Sequence, residues 1–129
     1  MITSPLYYYE LDSLIRKGVE NMEKVKVNTI EEFNEVQNNN DTFLFFKNST
    51  TCPISQAAYE EFENFVADQN AVPCFYLHVQ EARDVSNFIA EKYNVKHESP
   101  QALFIKGGEV VWNASHWKIT YSSLQENVK

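Results

Sequence analysis

Cysteine, glycine and proline are all scarce in this 129-residue chain, at two, three and four residues. Two cysteines, Cys52 and Cys74, are too few for a disulfide framework or a four-thiolate zinc site. No apolar run approaches the ~20 residues of a membrane-spanning helix. Basic residues are in the minority: 11 Lys and Arg face 18 Asp and Glu, for a formal charge of −7. An acidic chain with no basic run is a poor nucleic-acid binder. The opening residues Met1 to Tyr7 lack the charged and apolar regions of a signal peptide. With the cysteine count, this gives the expectation of a reducing cytoplasm. The Asn-x-Ser/Thr triplets at Asn40, Asn48 and Asn113 are then without significance.

What the chain does have is a core. Apolar residues make up 43% and aromatics 14%, which excludes a disordered polymer. The length fits one compact domain. Residues 1–21 stand apart as an N-terminal extension to a domain over 22–129. Tyr7-Tyr8-Tyr9 with Leu11, Leu14 and Ile15 suits a short amphipathic helix. Alternatively, Lys17-Gly18-Val19-Glu20-Asn21-Met22 back-translates to a purine-rich ribosome-binding sequence just before a start codon, which would make Met22 the native start. Both readings stay open.

From Met22 onward, strands and helices alternate. Val25-Lys26-Val27 is a short strand. Asn28 or Thr29 caps a helix with Glu31 and Glu32 in its first turn, where the dipole favours acids. Thr42 to Phe46 is a continuous apolar run, as in a strand buried on both faces. Ile54, Ala58, Phe62, Phe65 and Val66 recur at helical spacing after Pro53. Pro73 to Val79 reads as a strand, and Asp84 to Tyr93 as an amphipathic helix. Ala102–Ile105 and Val110–Trp112 flank Gly107-Gly108, a strong hairpin signal. Ile119 to Val128 reads as a closing helix. The order β-α-β-α-β-α-β-β-α demands parallel pairing of the first strands and an antiparallel edge, with helices on both faces. The fold class is α/β, and this order is that of the thioredoxin fold.

Chemistry concentrates at Cys52. It sits directly before Pro53, where a buried strand gives way to a helix. Pro is well suited to the first helical position. Unpaired N–H groups and the helix dipole at that point favour thiolate over thiol, and thiolate is the attacking species in thiol–disulfide exchange. The polar approach Asn48-Ser49-Thr50-Thr51 suits an accessible sulfur. Ser55 stands where a resolving cysteine would stand, so a two-cysteine cycle is closed to this motif; the bland reading of Ser55 is a first-turn helix residue. Cys74, in an apolar strand, reads as a core thiol, with a resolving role as the alternative. Ser99-Pro100 precedes the hairpin, where a cis proline faces the cysteine in the thioredoxin fold; an ordinary trans proline in a loop is the plainer reading. Lys47, five residues before Cys52, reads either as a solvated lysine or as a partner for a carboxylate of a bound thiol. His116 and Trp117 follow the last strand: His116 could hold a thiolate by charge and Trp117 could stack on a ligand, while a packed loop is the plainer reading. His78, His97 and His116 show no metal spacing, and no metal is expected.

Three segments together resemble a known family: Thr50-Thr51-Cys52-Pro53-Ile54-Ser55, His97-Glu98-Ser99-Pro100-Gln101-Ala102-Leu103, and Trp112-Asn113-Ala114-Ser115-His116-Trp117. They are similar to the YtxJ-like proteins of the bacillithiol system, the monothiol bacilliredoxins of low-GC Gram-positive bacteria, over residues 23–129. The resemblance implies a thioredoxin-like fold, a cytoplasmic role in thiol redox homeostasis, and removal of bacillithiol from mixed disulfides of client proteins. It makes Cys52 the nucleophile and Pro100 the cis proline; the residues themselves add Thr51, Pro53, Ser55, Ser99, His116 and Trp117 as supporting or substrate-binding candidates. It makes bacillithiol a cosubstrate, and no bound cofactor is expected; bacillithiol carries carboxylates, and we read Lys47 as a partner for them. The chain departs from thioredoxins in having Phe46 where they bury an acid and Ser55 where they carry a second cysteine, which argues against efficient reduction by a thioredoxin reductase. Pro53 replaces the glycine of cluster-binding monothiol glutaredoxins and argues against an iron–sulfur centre. A non-catalytic redox sensor or binding module modified at Cys52 is the alternative, and a bacillithiol transferase a second.

Overall fold

The computed structural model describes residues 24–129. The extension at residues 1–21, with both readings of its origin, lies outside the described residues. Strand β1 (Val25–Lys26) leads into helix α1 (Ile30–Asn39), then β2 (Thr42–Asn48), α2 (Pro53–Ala67), β3 (Cys74–His78), α3 (Arg83–Tyr93), β4 (Gln101–Lys106), β5 (Glu109–Ser115) and α4 (Tyr121–Asn127). The strands form one sheet in the order β1-β3-β2-β4-β5. β1 and β2 pair parallel with β3, while β4 pairs antiparallel with both β2 and β5.

The centre of the sheet is β2, which explains its unbroken apolar run. A central strand with helices on both sides has no polar face. Leu44 and Phe46 point to one face, against Phe62, Phe65 and Val66 of α2 and Leu124 of α4. Phe43 and Phe45 point to the other, against Phe33 of α1 and Val85 and Ile89 of α3. Phe46 and Phe62 stack with centroids 4.7 Å apart and planes at 10°.

Local signals set the boundaries. Thr29 caps α1: its hydroxyl accepts from the Glu32 N–H at 3.0 Å, and the Glu32 carboxylate accepts in return from the Thr29 N–H. Gly107 and Gly108 take φ of +60° and +81°. Left-handed backbone at both positions is what a two-residue hairpin turn asks for, and a Cβ at either would meet no atom within 4 Å, so the requirement is on backbone conformation alone. A bulge between Phe104 and Ile105 shifts the β4–β5 register and leaves Val111 on the surface.

The last helix starts later than its apolar spacing suggests. His116–Lys118 form a single 3-10 turn, Ile119 is buried in extended backbone, and α4 begins only at Tyr121. Thr120 is the cap, exchanging hydrogen bonds with Ser123. Sinking Ile119 into the core bends the chain, and a capping threonine restarts it.

This topology brings four chain segments to one end of the sheet. The end of β2 pairs in parallel with the end of β3 (Asn48 with His78). Because β4 runs the other way, its start lies beside the end of β2 (Gln101 with Lys47). The end of β5 closes on the start of β4 (Ser115 with Gln101).

Candidate functional site

Cys52 is the N-cap residue of α2, with φ −110° and ψ 127°. Its carbonyl accepts from the Gln56 N–H at 3.1 Å, and its side chain is partly exposed. Pro53, at the first helical position, has no N–H to offer. The next two amides, of Ser55 and Ile54, hold the Cys52 thiol below its ordinary range; partial burial opposes them, and the Ser55 hydroxyl assists. No cap hydrogen bond to the sulfur forms in this geometry, so the amides act on the charge as it develops. Ser55 is fully buried and its Oγ has no partner. A serine hydroxyl can donate as well as accept, so Ser55, one turn in from the thiol, is a candidate donor to a thiolate at Cys52.

A side chain from another loop secures the approach to Cys52. Gln80, just after β3, accepts at Oε1 from the Thr50 N–H (3.0 Å) and the Thr50 hydroxyl (3.2 Å). Its Nε2 donates to Ser49 Oγ at 2.8 Å and Thr51 Oγ1 at 3.2 Å. One glutamine thus ties three consecutive residues of the loop that ends in the thiol. Sequence reading did not single out Gln80, and a lone glutamine 29 positions from Thr51 offers no local signal. Gln80→Ala is expected to lower stability by only about 1 kcal/mol, because these bonds are exposed to water. It is expected to slow disulfide exchange at Cys52 by about tenfold through loss of loop order. Thermal melting and stopped-flow exchange with a small disulfide, run side by side, check both halves.

The Ser99–Pro100 peptide bond is cis. The register that pairs Lys47 with Gln101 sets these two residues beside the end of β2, and so beside the loop to Cys52. Pro100 is buried, and its carbonyl accepts from the His116 N–H at 3.1 Å. His116 adopts φ +55°, and its Nε2 lies 3.6 Å from Glu98 Oε1. Trp117 is 69% exposed, which replaces the packed loop of the plainer sequence reading with a surface indole. Cys52, Ser55, Ser99, Pro100, His116 and Trp117 therefore belong to one end of the molecule.

Lys47 requires correction. It is neither solvated nor presented to a bound carboxylate: it is fully buried. It lies on the sheet face that packs against α1 and α3, where its Nζ donates to the Ser86 carbonyl at 3.1 Å and sits 3.2 Å from His97 Nδ1. The apolar run of β2 hides this, because a lysine at its end looks like the strand's exit into water.

Cys74 is buried in the core, and burial pushes its thiol up to about 12. Its Sγ donates to the Val72 carbonyl and accepts from Gln69 Nε2. It pairs with Leu44, four residues before the end of β2, a separation of about 13 Å along the strand. A disulfide needs Cα atoms within about 7 Å, and Cys74 lies deep in the sheet while Cys52 follows the loop beyond the end of β2. Among the described residues, no three His, Cys, Asp or Glu side chains converge as a metal site would require. No helix there is long and apolar enough to cross a membrane.

Comparison with known proteins agrees with this geometry. The family model described as monothiol bacilliredoxin BrxC matches residues 25–124. A solved thioredoxin-fold protein, described as an oxidoreductase, is 44% identical over 80% of this chain and 91% of its own, with a TM-score of 0.74. Thioredoxins from Malassezia sympodialis (16% identity, 84% and 90% covered, TM-score 0.67) and Fasciola hepatica (19%, 81% and 95%, 0.66) share the fold.

Proposed function

This chain belongs to the monothiol bacilliredoxin family, and we propose on that premise that it removes bacillithiol from protein mixed disulfides through Cys52. One observation carries the reading: a single accessible thiol, activated at a helix start, with a serine where a resolving cysteine would sit. Such a site can take up one thiol and must hand it on to another.

The cycle conserves electrons at each step. The Cys52 thiolate attacks the bacillithiol sulfur of a client mixed disulfide. The old S–S bond breaks, the client thiolate leaves and takes a proton from water, and Cys52 holds bacillithiol as a new disulfide. The thiolate of free bacillithiol then attacks that adduct, leaving as bacillithiol disulfide and restoring the Cys52 thiolate. No bound metal or cofactor enters; bacillithiol is cosubstrate, and bacillithiolated clients are the partners. A reducing cytoplasm is the compartment this chemistry needs, and the two cysteines are free.

Intact-mass measurement during turnover tests the proposal. Protein incubated with a bacillithiolated client is expected to gain one bacillithiol, on Cys52, and to demodify many client molecules once free bacillithiol is added. An adduct that forms once without turnover would instead make the protein a redox sensor. No adduct at all would remove Cys52 from the chemistry.

A further inference from the structure

Lys47 is the most anomalous side chain in the fold. A lysine with no exposed surface carries a heavy desolvation penalty unless its charge is well met. Among the described residues no carboxylate lies within ion-pairing distance of it. What it meets is one helical carbonyl, that of Ser86, and one ring nitrogen, Nδ1 of His97. Ser86 Oγ, itself buried, lies 3.0 Å from the same Nδ1. The cation thus ties β2, α3 and the loop after α3 to a single point.

Position makes this point matter. Lys47 is one residue from the end of β2, where the chain turns toward Cys52. His97 is two residues before Ser99 and three before Pro100. Nearby, the Gln101 side chain donates to the Lys96 carbonyl at 3.0 Å, so the segment is held from both ends. We infer that Lys47 and His97 form a buried brace that fixes the Ser99–Pro100 segment against the strand leading to the nucleophile, making Lys47 a positioning residue for exchange. The inference deepens the reaction proposed above and rests on it.

The charges around His97 set the protonation state. From β2 comes the Lys47 ammonium, from α3 Arg83 and the Ser86 hydroxyl, and from its own loop Glu98. Burial and Lys47 hold the ring below its ordinary value, Glu98 opposes them, and Arg83 adds a little. A neutral ring is the state in which Nδ1 can accept from the ammonium.

Lys47→Met on the full chain tests the brace, since methionine keeps the stem and removes the charge; loss of a buried cation need not unfold the protein. In Lys47→Met, the His97 titration followed by NMR is expected to move upward. Alkylation of Cys52 by iodoacetamide is expected to keep its rate and pH midpoint. KM for a bacillithiolated protein is expected to rise about tenfold with kcat changed by less than about twofold. His97→Asn is expected to reproduce the KM rise with Lys47 in place. An unmoved His97 titration, a wild-type KM in both variants, or an equal fall in alkylation and exchange would overturn the inference. If the wild-type protein demodifies no bacillithiolated client, the function reading fails separately. The brace is then judged by the His97 shift and by hydrogen exchange of the Lys96–Gln101 amides, which must lose protection in Lys47→Met for it to stand.

Discussion

Cys52→Ser is expected to reduce client demodification to the uncatalysed rate while leaving the fold intact. The sulfur is partly exposed and packs into neither core cluster, so its replacement leaves no cavity. Serine keeps a cap oxygen for the Ser55 and Ile54 amides, and serine is a favoured N-cap residue. Melting temperature is therefore expected to hold or rise as activity vanishes. The pH profile of the wild-type thiol follows from the same amides. They stabilise the thiolate, so the folded pKa lies below the reference value of 9.0, and more thiolate is present at neutral pH than a free cysteine would give. Alkylation rate should plateau above that lowered pKa and fall tenfold per unit below it. A midpoint at or above that of a free cysteine, about 8.5, would show that the helix start does not activate the sulfur. Ser55→Ala is expected to move the midpoint upward by less than loss of the amides would, because the hydroxyl is the smaller contributor.

The largest loss of stability is expected from Phe33→Ala. Phe33 has no exposed surface. It meets Phe43, Phe45, Phe88 and Tyr93 edge-on, with centroids 6.2, 5.3, 6.1 and 6.3 Å away. One helix-borne ring therefore joins β2 to α3. Removing it forfeits both the buried area and the edge-to-face contacts, a cost of about 3–5 kcal/mol. Domains of this size are stable by only about 5–15 kcal/mol. Urea unfolding should show a midpoint lower by about 2 M at unchanged slope. Val111→Ala makes the contrast: Val111 is 53% exposed on the bulge, and its loss is expected to stay within about 0.5 kcal/mol.

Most of this architecture is legible without coordinates, because its signals are local. The apolar run over 42–46 marks the central strand, Cys52-Pro53 marks a helix start, and Gly107-Gly108 marks a hairpin. The parallel pairing of the first three strands follows from their helical crossovers, and the antiparallel edge from the hairpin. What escapes is whatever depends on partners far along the chain. Lys47 finds its acceptors 39 and 50 residues away, and Gln80 reaches back 29 to 31 residues. Neither has a sequence signature, since a lysine ending a strand and a glutamine in a loop are ordinary surface residues until topology places them. The start of α4 escapes for a different reason. Thr120 closes its capping box with Ser123 rather than with Glu or Gln, so the usual signal is absent, and the apolar spacing draws the helix back to a residue that belongs to the core.

The separation of the two thiols has a consequence under peroxide stress. Peroxide would convert an accessible, activated cysteine such as Cys52 to a sulfenic acid. Many thiol proteins then save the sulfur by closing an internal disulfide, with loss of water. This chain has only one other cysteine, and it sits protonated within the core, about 13 Å down the strand. Rescue must come from outside, by condensation with a small thiol from solution and loss of water, and the product is the same mixed disulfide that the proposed cycle would leave on Cys52. When the small-thiol pool is depleted, oxidation runs on to the sulfinic acid, which thiols do not reverse. If the proposed cycle holds, the fold makes survival of the Cys52 sulfur depend on the concentration of the small thiol that resolves it.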